Sequence, residues 1–331
     1  AYKLANHIIN EKIEFERNPL YWNDKETVIN SATFLAIENP STDVARYRAG
    51  DLDITSYALP PEQFAKLQKE LPGEVFTTRT LATYSYELNN KKAPFDNVNV
   101  RKALNLSLDR NVITDKVLGQ GQTPTYVFTP TYIEEGHLIQ QPAYSKEPMA
   151  QRNEEAIKLL EEAGYSKANP LKFSILYNTN ENHKKVAIAA ASMWKANTKG
   201  LIDVKLENQE WKTYIDSRRA GRYDAARAGW NADYNQATTF GNYFLSNSSN
   251  NTAKYANPEY DKAIAESYVA TDAEGRAKAY AKAEEILAKD FGIVPIFNYV
   301  NPRLVKPYVK GYSGKDPQDH IYLRNLYIIK H

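Results

Sequence analysis

Apolar and polar residues alternate from the first positions. Tyr2, Leu4 and Ile8, then Ile13, Phe15 and Arg17, stand among polar neighbours, so AYKLANHIINEKIEFERNP is expected to fold as a hairpin. Residues 28–37 predict a further strand. A short helix follows in STDVARYRAG, with Ser41 or Thr42 as its cap and Gly50 as its end. PPEQFAKLQKEL predicts a second helix, opened by Pro60 and Pro61, and residues 75–80 return to extended chain.

The texture changes near residue 83. Tyr84, Tyr86 and Leu88 alternate with Ser85 and Glu87, which predicts a half-buried strand over 83–88. After Asp96, in capping position, Val100, Ala103, Leu104, Ser107 and Leu108 recur at helical spacing. Residues 120–150 carry Pro124, Pro130, Pro142 and Pro148 with little periodicity and read as a long ordered loop. In QRNEEAIKLLEEAG, Ala156, Leu159, Leu160 and Ala163 form a helical stripe that Gly164 stops. Strand 171–177, helix 183–197, strand 201–206, helix 211–219 and strand 223–229 then alternate in order. Such a β/α run predicts a mainly parallel sheet with ligands at the carboxyl ends of its strands. Two packing helices follow, over 258–269 with the stripe Tyr260, Ile264, Tyr268 and over 273–289 with Tyr280, Ala283, Leu287. Residues 293–299 predict a strand, and Val305, Val309 and 321–329 are extended again, like the start of the chain.

One stretch in this run concentrates candidate chemistry: RYDAARAGWNADYNQ, residues 222–236. As a strand it places Tyr223, Ala225, Arg227 and Gly229 on one side and Asp224, Ala226, Ala228 and Trp230 on the other. Small residues leave the backbone accessible, so an extended ligand could add to it as a strand. Asp233 follows Arg227 with the opposite charge, which suggests a seat for a zwitterion.

Composition narrows the choices. At 331 residues the chain suits two domains with a sizeable core. Its 42 basic against 40 acidic residues give no reason to expect nucleic acid or an anionic membrane. With no cysteine there is no disulfide, thiolate nucleophile or thiolate metal site. No apolar run approaches the roughly 20 residues of a membrane helix. Tyrosine is abundant, at 24 residues, which suits adaptable recognition surfaces as well as strand packing. His7, His137, His183, His320 and His331 share no metal-binding spacing, and no metal or other cofactor is expected. The G-x-S-x-G elbow and the phosphate loop are both missing. Glu207, Glu210, Asp224 and Asp233 could supply a carboxylate pair for glycoside chemistry, though such pairs arise by chance in any chain with 40 acidic residues. A chain that opens inside a strand, without a leader, is expected to continue a longer polypeptide.

Several segments carry a resemblance. YKLANHIINEKIEFERNPLYWND, RYRAGDLDIT, YSYELNNKKAPFDNVNVRKALNLSLDR, ENQEWKTY, DAARAGWNADYNQ, SSNNTAKY and VNPRLVKPYVKGYSGKDPQDHIYLRNLYIIKH resemble, in order, the family 5 solute-binding proteins, the periplasmic oligopeptide-binding proteins of peptide ABC importers. The likeness runs from the first residue to the last and covers only the C-terminal portion of that family's chain. It implies an α/β periplasmic binding protein-like fold (type II, cluster C). Residues 1–82 and 301–331 would form part of a split first lobe whose N-terminal strands are missing, and 83–300 the complete C-terminal lobe.

The same resemblance implies a non-enzymatic, periplasmic role in peptide transport. Partners would be short peptides and the importer's membrane permease subunits, and the complete protein would be a monomer. Asp233 would grip the peptide's α-amino group, and the backbone of residues 228–231, with Gly229, Trp230 and Asn231, would bond its main chain. Arg227 and His183 would belong to a set of cations meeting the peptide carboxylate, with Arg218 a further candidate. Near Lys116 the family has a second lysine where this chain has Leu118, and Asn231 stands where close relatives have cysteine. Trp211, Trp230 and Tyr299 would line roomy side-chain pockets. Because the family encloses its ligand between lobes, this chain alone is expected to bind weakly. Other roles stay open: Asp233 as a loop brace, Arg227 in a structural ion pair, His183 as solvated surface, Trp211 and Tyr299 as core aromatics. At the level of function the alternatives are a dedicated murein-peptide binder and a polysaccharide-processing enzyme that uses Asp233 with a second carboxylate.

Overall fold

The structure is a computed structural model that describes residues 1–56 and 58–330; His331, among the histidines weighed above, lies outside the described residues. The chain divides into two compact units, Ala1–Thr80 with Val300–His331, and Leu81–Tyr299.

In the first unit, β1 (Tyr2–Ile8) and β2 (Lys12–Arg17) form the expected hairpin, and β3 (Ser31–Leu35) joins β2 antiparallel. Helix α1 (Pro40–Ala49) is capped by Asn39, whose side chain accepts from the Ser41 and Thr42 amides. The expected caps Ser41 and Thr42 therefore lie inside the first turn, because the asparagine reaches them first. Gly50 ends the helix in the left-handed conformation, at φ 88°. Helix α2 (Pro61–Glu70) follows, and Val44, Tyr47, Leu59, Phe64, Leu67 and Leu304 make the core of this unit.

Strand β4 (Val75–Leu88) is one continuous strand where two were expected, and its part from Leu81 belongs to the second unit. That part is buried on both faces rather than half-buried, because Glu87, read as a solvent position, has a buried partner described below. In α3 (Val98–Leu106) the cap is Asn97, not Asp96: the Asn97 side chain accepts from the Asn99 amide. A π-helical turn at Val112–Leu118 and the short β5 (Thr123–Pro124) precede α4 (Met149–Glu162), so the expected loop is partly regular.

The alternation then runs as β6 (Leu171–Asn178), α5 (Glu181–Asn197), β7 (Ile202–Gln209), α6 (Trp211–Arg219) and β8 (Ala225–Asn231). Short α7 (Thr238–Gly241), then α8 (Pro258–Val269) and α9 (Ala273–Lys289), lead to β9 (Ile293–Leu304). The sheet order is β5-β9-β4-β8-β6-β7. It is mixed rather than mainly parallel: β6 runs parallel to β7 and β8, whereas β4 is antiparallel to β8 and β5 to β9. Parallel neighbours need helical crossovers, and the β/α alternation supplies them only from β6 to β8. The first unit closes with the antiparallel pair β10 (Val309–Lys310) and β11 (Tyr327–Ile328).

Two apolar clusters flank this sheet. One joins Tyr84, Tyr86 and Leu88 to α3 and α5, where fully buried Trp194 donates its indole N–H to the Leu104 carbonyl at 2.9 Å. The other gathers Phe128, Phe240, Tyr243, Phe244, Tyr260, Ile264 and Tyr280.

Candidate functional site

Strand β8 faces β4 with Ala225 opposite Leu88, Arg227 opposite Tyr86, Gly229 opposite Tyr84 and Asn231 opposite Ala82. Directly opposed residues share a face, so Arg227, Gly229, Tyr84 and Tyr86 look toward α5, and Glu87, Ala226, Ala228 and Trp230 look the other way. This is the alternation expected from the sequence, except that Tyr223 precedes the strand and packs with Leu176, Tyr214 and Ala226.

The other edge of β8 is paired only at its start. Ile175 meets Ala225 and Leu176 meets Ala226, after which β6 keeps its register with β7 through Asn178 and Gln209. The two parallel strands therefore part toward their carboxyl ends. The buried Tyr214 hydroxyl donates to the Arg227 carbonyl at the point of parting. Beyond it, residues 228–231 have no strand partner on that side among the described residues.

On the α5 face Arg227 donates through Nη2 to the Tyr299 hydroxyl at 2.5 Å, and its guanidinium carbon stands 5.2 Å from the Tyr84 ring centre. Its Nε is buried without an acceptor among the described residues, and no carboxylate partner is found there, so it is not a structural ion pair. Gly229 explains how the pair fits: a Cβ there would lie 2.9 Å from the Tyr299 hydroxyl and 3.0 Å from Arg227 Nη2. His183 stands in the first turn of α5, its ring 5.6 Å from that of Tyr84. Burial, and then the charge of Arg227, push its pKa well below the ordinary value. It is half-buried in the first turn of α5 rather than fully solvated surface.

Arg218 lies on the opposite face. It grips the buried Glu87 through Nε at 3.1 Å and Nη2 at 2.9 Å, while Tyr243 donates to the same carboxylate at 2.6 Å and Thr252 joins them. Burial opposes the Arg218 charge, but Glu87 outweighs it and holds the arginine pKa well above its usual value. The structure therefore separates Arg218 from Arg227, where the sequence grouped them.

Trp230 packs edge-on against Tyr243 at 4.8 Å and donates its indole N–H to the Thr239 carbonyl at 3.0 Å. Asn231 and Asp233 are exposed at the strand's carboxyl end. The Asp233 amide donates to the Thr239 hydroxyl and its Oδ2 accepts from that hydroxyl, each at 3.2 Å. Trp211 opens α6 and is 54% exposed, stacked on Tyr214 at 5.8 Å, so it is no core aromatic. Tyr299 is partly buried, 5.2 Å from Phe297 and 5.9 Å from Tyr84. Lys116 is exposed on the π-turn, and Leu118 is buried in the core.

The carboxylates that might have formed an enzyme pair have other work. Glu210 caps α6, Asp224 accepts from Ser174 and Lys92, and Glu207 accepts from Gln209. Asp224 and Asp233 flank the two ends of β8, a seven-residue strand of roughly 20 Å, longer than the spacing of a glycosidase pair. Three contributors escaped sequence reasoning. Thr239 left no signal; Tyr214, one helical turn from Trp211, and Glu87, a lone charge in an apolar strand, left a faint one.

The model for bacterial extracellular solute-binding proteins, family 5, matches residues 1–252. The periplasmic oligopeptide-binding protein OppA of Haemophilus influenzae is 97% identical over 331 residues, all of this chain and 61% of that protein. The OppA of Salmonella typhimurium is 54% identical, and the periplasmic murein peptide-binding protein MppA of Escherichia coli 43%. A crystal structure of Haemophilus influenzae OppA in complex with RPPGFSPFR superposes with a TM-score of 0.95 at 96% identity, and that of the Escherichia coli murein tripeptide binding protein MppA with 0.94 at 43%. Each covers 100% of this chain, which spans 64% of the crystallised chain.

Proposed function

Because the chain belongs to family 5 of the bacterial extracellular solute-binding proteins, we propose that it is the C-terminal part of the periplasmic binding component of an oligopeptide importer. It contributes one wall of a site for short extended peptides and performs no catalysis. The observation that carries this is the parting of β6 and β8, which leaves residues 228–231 with an open edge beside an exposed carboxylate. Backbone hydrogen bonds along that edge are the same for every peptide, so recognition tolerates many side chains.

Asp233 receives the α-amino group, with Trp230 beside it. Arg227, whose Nε is a buried donor without an acceptor, receives the carboxylate of peptides of suitable length, and His183 assists as a neutral hydrogen-bonding partner. Tyr299 and Trp211 border side-chain pockets. Arg218 braces the sheet through Glu87 instead of touching peptide. The permease subunits of an ABC importer are the partners.

Calorimetry on the intact protein, with mixed-sequence tripeptides and their N-acetylated forms, tests this. Similar affinities across side chains, a large loss on acetylation, and removal of that difference by Asp233→Asn are expected. Equal affinity for blocked and free peptides overturns the assignment of Asp233. Strong preference for a cell-wall tripeptide over Lys-containing peptides overturns the general peptide role in favour of murein recycling.

A further inference from the structure

Thr239 sits at the centre of the recognition loop without reaching its surface: it is 4% exposed. Its hydroxyl oxygen accepts from the Asp233 amide at 3.2 Å and from the Trp230 indole N–H at 3.3 Å. A hydroxyl has two lone pairs and one proton. With both lone pairs facing N–H groups, the proton has one destination, Asp233 Oδ2 at 3.2 Å. One side chain thus holds the backbone of the loop, fixes the indole and donates to the carboxylate.

Thr239 is itself anchored. It lies in α7, where its neighbour Phe240 is buried 5.2 Å from Phe128. The Thr238 hydroxyl meets that of Tyr280 on α9 at 2.5 Å. Gln236 donates to Glu135 at 2.9 Å, and Glu135 pairs with Arg276 of α9 at 2.6 Å. A turn held at these points transmits its position to whatever it bonds.

We propose that Thr239 is a positioning residue for peptide recognition, a one-way hydrogen-bond donor that keeps the Asp233 carboxylate aimed at the ligand's α-amino group and couples it to Trp230. This rests on the role given to Asp233 above. A bond to an ionised carboxylate is stronger and more directional than one between neutral groups, and the hydroxyl restricts how the carboxylate turns. Without it Asp233 loses this restraint on its orientation, and part of the binding is spent on ordering it.

The test compares Thr239→Val, which keeps the shape and removes the hydroxyl, with Thr239→Ser, which keeps the hydroxyl, and with Asp233→Asn, all in the intact protein. The probes are a tri-alanine peptide and its N-acetylated form, measured by calorimetry from pH 5 to 8. Thr239→Val is expected to weaken the free peptide roughly tenfold and the acetylated one less than twofold, as a lost charge-assisted bond at the amine end requires. Thr239→Ser should restore the free peptide to within about threefold of wild type. If Thr239→Val does not fold, Thr239→Ala takes its place with the same expectation. Equal weakening of both peptides, or failure of serine to rescue, overturns the positioning role. An amine preference lost in Asp233→Asn but intact in Thr239→Val overturns this inference alone. A preference intact in Asp233→Asn overturns the role of Asp233 and the inference with it.

Discussion

Glu87 and Arg218 form a two-pronged ion pair inside the second unit, Nε to Oε2 at 3.1 Å and Nη2 to Oε1 at 2.9 Å, on the face of the sheet turned away from Arg227. Removing one partner of such a pair strands the other charge away from water. Arg218→Met is therefore expected to destabilise by about 3–5 kcal/mol, and Glu87→Gln combined with Arg218→Met to recover much of that loss. Arg218→Lys should not rescue, because a lysine cannot span both carboxylate oxygens. Urea unfolding of wild type, Glu87→Gln, Arg218→Met and the double variant measures the coupling; independent, additive losses would contradict the pairing.

Gly229 gives a sharper probe of the opposite face. A methyl group there meets the ends of Tyr299 and Arg227, which must give way because the strand backbone is held by β4. Gly229→Ala is expected to cost about 1–2 kcal/mol, in the lower range for overpacking, while breaking the Arg227–Tyr299 hydrogen bond. Tyr299→Phe breaks the same bond by deletion. The double variant should therefore lose less stability than the sum of the two, and a fully additive result would show that the pair is not what the glycine protects.

His183 sets a pH dependence. Its folded pKa lies below the ordinary 6.5, so between those values the unfolded chain holds a proton that the folded chain lacks. Its contribution to stability is present above about pH 6.5 and is lost as the pH falls toward the folded value. Wild type should lose more of its urea midpoint between pH 7.5 and 5.5 than His183→Gln. Identical pH slopes for the two would place the imidazole in water.

What could be read in advance divides along the distance between interacting residues. The helices of α8 and α9 were legible to their ends because Pro258, Asp272 and the apolar stripes are local signals. The run from β6 to β8 was legible because its periods alternate cleanly. Glu87 read as a solvent position because its partner is 131 residues away, and the lowered pKa of His183 comes first from burial and then from Arg227, on a strand far along the chain. The structure does not bring Arg227 and Arg218 together, for the same kind of reason. Spacing shows that two cations are near in sequence, and only the register of β8 on β4, with the bond from Arg218 to Glu87, shows that they lie on opposite faces. Caps shifted by one to three residues, to Asn39 and Asn97, because several capping residues stand together and the backbone selects among them.

Trp211 separates recognition from packing most directly. More than half exposed at the start of α6, it contributes little burial, and its stack on Tyr214 is worth roughly 1 kcal/mol. Tyr214 is buried and its hydroxyl satisfies the Arg227 carbonyl where β8 leaves β6. Trp211→Ala should thus change unfolding free energy by about 1 kcal/mol or less, yet weaken peptide binding by roughly tenfold, as loss of an aromatic anchor at a binding surface does. Tyr214→Phe should show the reverse balance, costing about 1–2 kcal/mol of stability for an unsatisfied carbonyl. If Trp211→Ala instead loses stability and affinity in the proportion seen for Tyr214→Phe, the indole serves only as a brace for the tyrosine beneath it. A selective loss of affinity in Trp211→Ala means that the exposed indole takes part in the binding surface itself.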